Sequence, residues 1–118
     1  MKLTVYAYKN CGTCRNALKF LDEHGIPYTV VPIRETPPSP DELRRMLQYQ
    51  GGVLRRLFNT SGQDYRDLGL KDRLSTMSED EAIALLAAHG NLVKRPFILG
   101  DGFGLLGFGK DEWSDRLL

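Results

Sequence analysis

The pattern of residues 2–33 restricts the fold more than any other part of the chain. Residues 2–8 alternate and are rich in valine and tyrosine, residues 12–24 place apolar side chains at helical spacing, and residues 27–33 are again strand-like. Gly25 is suited to ending the helix, and Pro32 is suited to an edge strand or a strand end. Two strands joined through one helix predict a parallel β-α-β unit with a right-handed crossover.

The rest of the chain predicts a helical block followed by a β-hairpin. Two capping-box patterns, each a serine followed three positions later by a glutamate, indicate helix starts at residues 39 and 78. The last elements are predicted as strands over 97–99 and 103–108, a turn over 100–102 and a helix over 110–117. We therefore predict one α/β domain over residues 1–118 with a four-stranded mixed sheet. Residues 1–33 and 91–118 form its core, and residues 34–90 form a helical insertion between the β-α-β and β-β-α halves.

Composition and charge exclude two broad classes of function. The formal net charge is +1, so no general attraction to nucleic acid or to anionic membranes is expected. No apolar run approaches the roughly 18 residues that a membrane span needs, and the first strand lacks the apolar region of a signal peptide. We predict a cytoplasmic protein without direct nucleic-acid or membrane binding. In that compartment a Cys-x-x-Cys pair serves catalysis, redox sensing or metal binding rather than a structural disulfide.

Both cysteines of the chain lie in Cys-Gly-Thr-Cys, at the junction of the first strand and the first helix. The helix N-terminus offers unpaired N–H groups and a positive dipole end, which favour a thiolate at Cys11. Gly12 permits close backbone approach, Thr13 offers a hydroxyl and Arg15 adds positive charge, so this loop is a candidate anion site. Cys14 lies one turn further along the same side of the helix, within reach of a disulfide with Cys11.

Three interpretations of the cysteine pair are open from the residues alone. The pair is a redox couple with Cys11 as attacking thiolate and Cys14 as resolving thiol, or half of a zinc site, or two unreactive neighbours. Zinc usually takes four ligands, and the other soft candidates, His24 and His89, fall at predicted helix ends. Position and charge favour the redox couple, and we predict no metal site.

Two further segments are candidates for the site. Pro96 directly precedes the third strand, where a cis peptide bond would lie beside the cysteine loop. Arg95 would then direct its guanidinium to an anion held at Cys11. The alternative is a proline at a strand start and a solvent-exposed arginine. Asn59 belongs to the polar segment Asn-Thr-Ser-Gly, which either contributes to anion binding or caps the next helical turn.

Three segments resemble the ArsC/Spx family, which comprises the glutaredoxin-coupled arsenate reductases and their Spx/MgsR relatives. They are Cys-Gly-Thr-Cys-Arg-Asn-Ala-Leu after the first strand, Asn-Thr-Ser-Gly with Tyr-Arg-Asp-Leu-Gly-Leu in the middle, and Lys-Arg-Pro-Phe-Ile before the hairpin. The resemblance covers essentially the whole chain, in order. It implies a thioredoxin-like (glutaredoxin-like) fold with a helical insertion. It also implies that Cys11 is the cysteine that attacks arsenate, Thr13 lies in its anion loop and Arg95 binds the oxyanion.

The chain departs from the arsenate reductase pattern in two respects. Cys14 stands where those reductases have a serine, so the resemblance to Spx-like members implies an intramolecular disulfide with Cys11. Those reductases also use two further arginines, one near Leu57, just before Asn59, and one within residues 104–107, and neither has a counterpart here. Their loss is expected to weaken arsenate binding, because charge-assisted hydrogen bonds are the strong ones.

The resemblance implies two functions of different classes. The first is a redox-active oxidoreductase without a bound cofactor, in which Cys11 attacks a small oxyanion or disulfide and Cys14, glutathione or glutaredoxin resolves the adduct. The second is an Spx-like regulator that binds the RNA polymerase α subunit, with a Cys11–Cys14 disulfide as its switch and the basic residues within 44–56 as a partner surface. The middle segment resembles the reductase branch more closely, so we predict the enzyme, acting as a monomer.

Overall fold

The computed structural model describes residues 2–118. In chain order its elements are β1 (Leu3–Ala7), α1 (Gly12–Glu23), β2 (Tyr28–Pro32), α2 (Pro40–Tyr49), a 3₁₀ helix (Leu54–Leu57), α3 (Gln63–Asp67), α4 (Leu70–Arg73), α5 (Glu79–Ala88), a second 3₁₀ helix (Gly90–Leu92), β3 (Phe97–Gly100), β4 (Phe103–Leu106) and α6 (Lys110–Leu117). None of the helices in this range combines the length and the apolar character that crossing a bilayer requires.

The strands form one mixed sheet in the order β2-β1-β3-β4. β1 pairs in parallel with β2 and antiparallel with β3, and β3 pairs antiparallel with β4. β2 is an edge strand, which is where a proline such as Pro32 is tolerated. The predicted α/β, thioredoxin-like fold class is confirmed.

Each face of the sheet is covered by its own hydrophobic core. Because side chains alternate along a strand, Leu3, Val5 and Ala7 of β1 face one side and Tyr6 faces the other. The first core includes α1 and α6, and the indole of Trp113 at its centre is completely buried. The second core joins the opposite face to the helices that lie between β2 and β3. The thiol-bearing helix α1 is thus packed on one face, and the insertion on the other.

The two predicted capping serines begin the main helices of the insertion. Ser39 Oγ accepts the N–H of Glu42 at 3.2 Å, and the Glu42 carboxylate accepts the N–H of Ser39 at 3.0 Å. Ser78 Oγ accepts the N–H of Glu81 at 3.1 Å. These bonds satisfy donors that a helix start otherwise leaves free, which is why α2 and α5 begin where the sequence pattern places them.

The β3–β4 hairpin is shorter than predicted. Gly100 pairs inside the sheet, so the turn consists of Asp101 and Gly102 alone. The second strand stops before Gly107, whose φ of +69° turns the chain out of the extended conformation. The N–H of Gly107 donates to the carbonyl of Pro96 at 2.9 Å, which holds the end of the hairpin beside the start of β3.

Candidate active site

Cys11 is the N-cap residue of α1. Its backbone is extended, with φ −98° and ψ 115°, and its carbonyl accepts the N–H of Arg15 at 3.1 Å. Its Sγ accepts the N–H of Cys14 at 3.3 Å, the bond that a serine or aspartate oxygen makes at an ordinary N-cap. The sulfur therefore lies at the positive end of the helix dipole, where negative charge is stabilised. One residue both begins the helix and carries the partly exposed thiol.

The two thiols differ in burial and in pKa. Cys11 is partly exposed, whereas Cys14 is 1% exposed. Burial is the largest influence on the pKa of Cys11 and would raise it. Hydrogen bonds from the Cys14 side chain and N–H, with the charge of Arg95, outweigh burial and lower that pKa. Burial and the hydrogen bond to Cys11 raise the pKa of Cys14 to about 12, so Cys14 keeps its proton and the negative charge forms on Cys11.

Arg95 and Pro96 enter the site from the start of β3. This strand lies antiparallel to β1 with Phe97 opposite Tyr6, which brings the residues before it next to the loop that follows β1. The peptide bond between Arg95 and Pro96 is cis, and Pro96 is buried. The positive charge of the Arg95 guanidinium is one of the influences that lower the pKa of Cys11.

A short backbone pairing brings Asn59 to the same region. Residues 57–59 pair with residues 92–94 through two hydrogen bonds of 2.7 and 2.8 Å, one in each direction. Since residues 92–94 lead directly into Arg95, the pairing carries Asn59 into the cleft that Arg95 lines. A segment of the insertion thereby becomes one wall of the site.

The predicted anion-binding residues on the first turn of α1 lie outside the cleft that Arg95 lines. Gly12 and Thr13 are exposed at the helix start. Arg15 is exposed as well, and its Nη1 donates to the carbonyl of Lys9 at 3.1 Å, beside an apolar cavity of about 400 Å³. Its guanidinium is bound to the loop backbone and does not line the cleft of Arg95.

Tyr8 and Arg34 line the Arg95 cleft, although neither was predicted from the sequence. Arg34 Nη1 donates to Tyr8 Oη at 2.8 Å, and the Asn10 amide donates to the same oxygen at 3.1 Å. The Asn10 hydrogen bond is the largest influence on Tyr8 and, with the charge of Arg34, lowers its pKa although burial opposes this. Strand register is the sequence signal that could have indicated this contact. Because β1 and β2 are parallel, the residues that follow the two strands lie at the same end of the sheet.

The fold and the site together define a thioredoxin-like thiol protein. A partly exposed cysteine begins the helix after the first strand, a buried thiol follows one turn later, and a cis-proline precedes β3. Comparison with known families matches the ArsC family over residues 6–115. The chain belongs to the ArsC family.

Individual relatives agree with this assignment. YusI, an uncharacterized protein of Bacillus subtilis (strain 168), is 45% identical over 116 residues, which cover 98% of each chain. An arsenate reductase of Escherichia coli is 34% identical over 97 residues, covering 82% of this chain and 67% of that one. A Bacteroides fragilis structure described as ArsC family related is 42% identical with a TM-score of 0.91, covering 98% of this chain and 97% of that one. These relatives confirm the predicted family and support an ArsC-type redox function.

Proposed function

We propose that the protein is a thiol–disulfide oxidoreductase in which Cys11 is the nucleophile and Cys14 resolves the adduct. The observation that carries this proposal is the asymmetry of the two thiols. Cys11 is accessible, and its pKa is lowered in spite of its burial by Cys14 and Arg95. Cys14 is buried, and burial together with Cys11 raises its pKa to about 12. An accessible thiolate beside a protonated thiol is the arrangement that thiol–disulfide exchange requires.

The chemistry takes two exchange steps. The Cys11 thiolate attacks a substrate disulfide R–S–S–R′, so that a Cys11–S–R bond forms, the substrate S–S bond breaks and R′–S⁻ leaves. Cys14 then loses its proton to solvent or to the departing thiolate and attacks the Cys11 sulfur. The Cys11–Cys14 disulfide closes and R–S⁻ is released. Two glutathione molecules, or the dithiol of a glutaredoxin, return two electrons and reopen that disulfide.

Cys14 becomes a better nucleophile once Cys11 has reacted. Burial is the largest contribution to the raised pKa of Cys14, and burial persists through the reaction. The hydrogen bond to the Cys11 thiolate and its negative charge also raise that pKa, and both disappear when the Cys11 sulfur enters a disulfide. The pKa of Cys14 therefore falls between the two steps, which puts attack by Cys11 first.

The charge of the site favours a disulfide over arsenate as the substrate. Arg95 acts on Cys11, but Leu57 is completely buried and residues 104–107 contain no arginine. Of the three arginines that the family resemblance implies for arsenate, only Arg95 is present, and the lost contacts are charge-assisted hydrogen bonds. Arg34 also lines the cleft, but its Nη1 already donates to Tyr8 Oη. A neutral S–S bond needs no such counter-charge.

Turnover of a small disulfide with glutathione tests the proposal, followed as NADPH consumption by added glutathione reductase, with arsenate as a second substrate. We expect Cys11→Ser to abolish turnover. We expect Cys14→Ser to accumulate the mixed disulfide on Cys11, detected by mass spectrometry. Arg95→Gln should slow the first step, whereas Arg95→Lys, the matched control that keeps the charge, should retain part of the rate.

Three results would contradict the proposal. The first is turnover that survives Cys11→Ser, and the second is arsenate reduced faster than the disulfide. The third is no turnover of either substrate together with capture of the RNA polymerase α subunit by only one redox form of the protein, which would support the regulator instead.

A further inference from the structure

The ring of Tyr8 contacts two guanidinium groups. Arg34 Cζ lies 4.7 Å from the ring centroid and Arg95 Cζ lies 5.3 Å from it. Both distances are within the roughly 6 Å range of a cation–π contact. Tyr8 follows β1, Arg34 follows β2 and Arg95 precedes β3, so the ring joins three separate segments at one end of the sheet.

Tyr8 is itself held in place by polar contacts that do not involve Arg95. Its carbonyl accepts the N–H of Cys11 at 3.0 Å. Its hydroxyl oxygen accepts a hydrogen bond from the Asn10 amide at 3.1 Å and another from Nη1 of Arg34 at 2.8 Å. The backbone and the far end of the side chain are both bound, so the ring is a fixed surface beside the cysteine loop.

The guanidinium of Arg95 lacks comparable contacts. Both ion pairs within residues 2–118 are made by Arg44, so no carboxylate in that range fixes the Arg95 side chain. Its Nη1 is buried without a hydrogen-bond partner. A long side chain has many rotamers, and holding it in one of them costs conformational entropy. The Tyr8 ring favours one orientation, because arginine stacks on aromatic faces and gains a cation–π contact there.

The position of this guanidinium matters to the reaction because its charge acts on Cys11. Burial is the largest influence on the pKa of Cys11 and raises it, whereas hydrogen bonds from Cys14 and the charge of Arg95 lower it. A Coulomb interaction weakens with distance and is screened in solvent, so it is lost when the arginine turns away from the sulfur. A residue that keeps Arg95 in place therefore helps to keep Cys11 as a thiolate.

We propose that Tyr8 is a positioning residue, whose ring holds the Arg95 guanidinium beside the Cys11 sulfur. The Tyr8 hydroxyl has the smaller part, because its hydrogen bonds with Asn10 and Arg34 fix the ring and do not contact Arg95. This inference rests on the proposed function, since it concerns the thiolate that attacks the disulfide.

Titration of Cys11 in Tyr8 variants tests the proposal. Each variant is made in the Cys14→Ser protein, which has a single thiol, and alkylation by iodoacetamide is followed across a pH series. Tyr8→Leu removes the ring and should raise the midpoint of Cys11 by about half a pH unit, the equivalent of one cation–π contact at a partly exposed site. Tyr8→Phe keeps the ring and should raise the midpoint less. Tyr49→Leu, the same change at an exposed tyrosine of α2 outside the cleft, should titrate like the Cys14→Ser protein.

A double-mutant cycle with Arg95→Gln separates positioning from a direct effect of the ring on the sulfur. Once the charge of Arg95 is removed, Tyr8→Leu should leave the midpoint of Cys11 unchanged.

NMR of the unmutated protein gives a second measurement that does not depend on whether a variant folds. Protons above the face of an aromatic ring are shifted upfield, so we expect upfield shifts for the side-chain protons of Arg95, assigned by their loss in Arg95→Lys. In a folded Tyr8→Leu protein these protons should return to ordinary arginine shifts.

The role of Tyr8 would be overturned by an unchanged Cys11 midpoint in Tyr8→Leu, or by ordinary shifts for the Arg95 protons in the unmutated protein. An equal rise in Tyr8→Phe and Tyr8→Leu would also overturn it, because the hydroxyl and not the ring would then be responsible. So would a rise in Tyr8→Leu that persists in the Arg95→Gln background. A protein that shows all the expected shifts but whose Cys11 reacts with no disulfide would overturn the proposed function and leave the role of Tyr8 in place.

Discussion

Replacing Cys14 measures how much of the Cys11 thiolate depends on its neighbour. Cys14→Ala removes the thiol that donates to Cys11 but leaves the backbone N–H, whose nitrogen lies 3.3 Å from Cys11 Sγ. Cys14→Ser removes the same sulfur but retains a hydroxyl donor. The two variants therefore differ by one hydrogen bond to the thiolate, and each has a single cysteine to titrate.

The size of the effect follows from the strength of that bond. A hydrogen bond to a charged group contributes about 1.5–3 kcal/mol. Since one pKa unit corresponds to about 1.36 kcal/mol, losing the donor raises the pKa of Cys11 by about one to two units. Cys11 is partly exposed, so water replaces part of the lost bond and we expect about one unit. The helix end and Arg95 are common to both variants.

Alkylation of Cys11 by iodoacetamide across a pH series is the assay, with the ultraviolet absorbance of the thiolate as a second readout. The midpoint of Cys14→Ala should lie about one unit above that of Cys14→Ser, so alkylation at neutral pH is slower in the alanine variant. Equal midpoints in two folded variants would contradict the prediction, because the helix end and Arg95 would then account for the thiolate alone.

Three stability predictions concern the parts that position the site. Trp113→Ala should lower the free energy of unfolding, measured with urea, by about 3–5 kcal/mol, because the indole is completely buried. A loss no larger than that of a surface substitution would contradict its role in the core. Gly90→Ala should lower the free energy of unfolding by about 1–3 kcal/mol, because the added Cβ would collide with the carbonyl of Ile33. Unchanged stability would contradict this and show that the backbone can shift. Tyr6→Phe removes a bond of 2.7 Å to Glu42 and should cost about 1 kcal/mol at neutral pH. Burial and then Glu42 raise the pKa of Tyr6, so this contribution is present below about pH 10 and is lost as pH rises further, whereas a difference independent of pH would contradict it.

The parts of the fold that local signals determine were predictable from the sequence. The serines at 39 and 78 make the bonds that start α2 and α5, and Gly25 follows α1 with φ +65°. Cys11 lies at the helix start for the same reason, since its residue type and its distance from the first strand are both local. The hairpin was predicted as well, but its length was not, because Gly107 leaves the strand to bond with Pro96.

The composition of the cleft was not predictable in the same way. The role of Arg15 in anion binding stays a prediction. Its orientation could not be predicted, because a long side chain has many orientations and the Lys9 carbonyl accepts its hydrogen bond in this structure. Arg34 lies 26 positions from Tyr8, and their contact depends on the register of two parallel strands. The roles of Cys11 as thiolate and Cys14 as resolving thiol were predicted from position on the helix, but the burial that raises the pKa of Cys14 to about 12 depends on the packing of α1 on the sheet.

The pairing of residues 57–59 with 92–94 also limits how this domain can be shortened. Asn59 donates its N–H to Leu92, and Lys94 donates its N–H to Leu57, immediately before Arg95. An engineer who excised residues 34–90 to obtain a minimal redox domain would remove the partner that holds the arginine in place. Residues 57–59 thus support the segment that leads into Arg95, and any reduced design has to retain them or supply a substitute strand. Slow hydrogen exchange at the amides of Asn59 and Lys94 would show that this backbone pairing is intact.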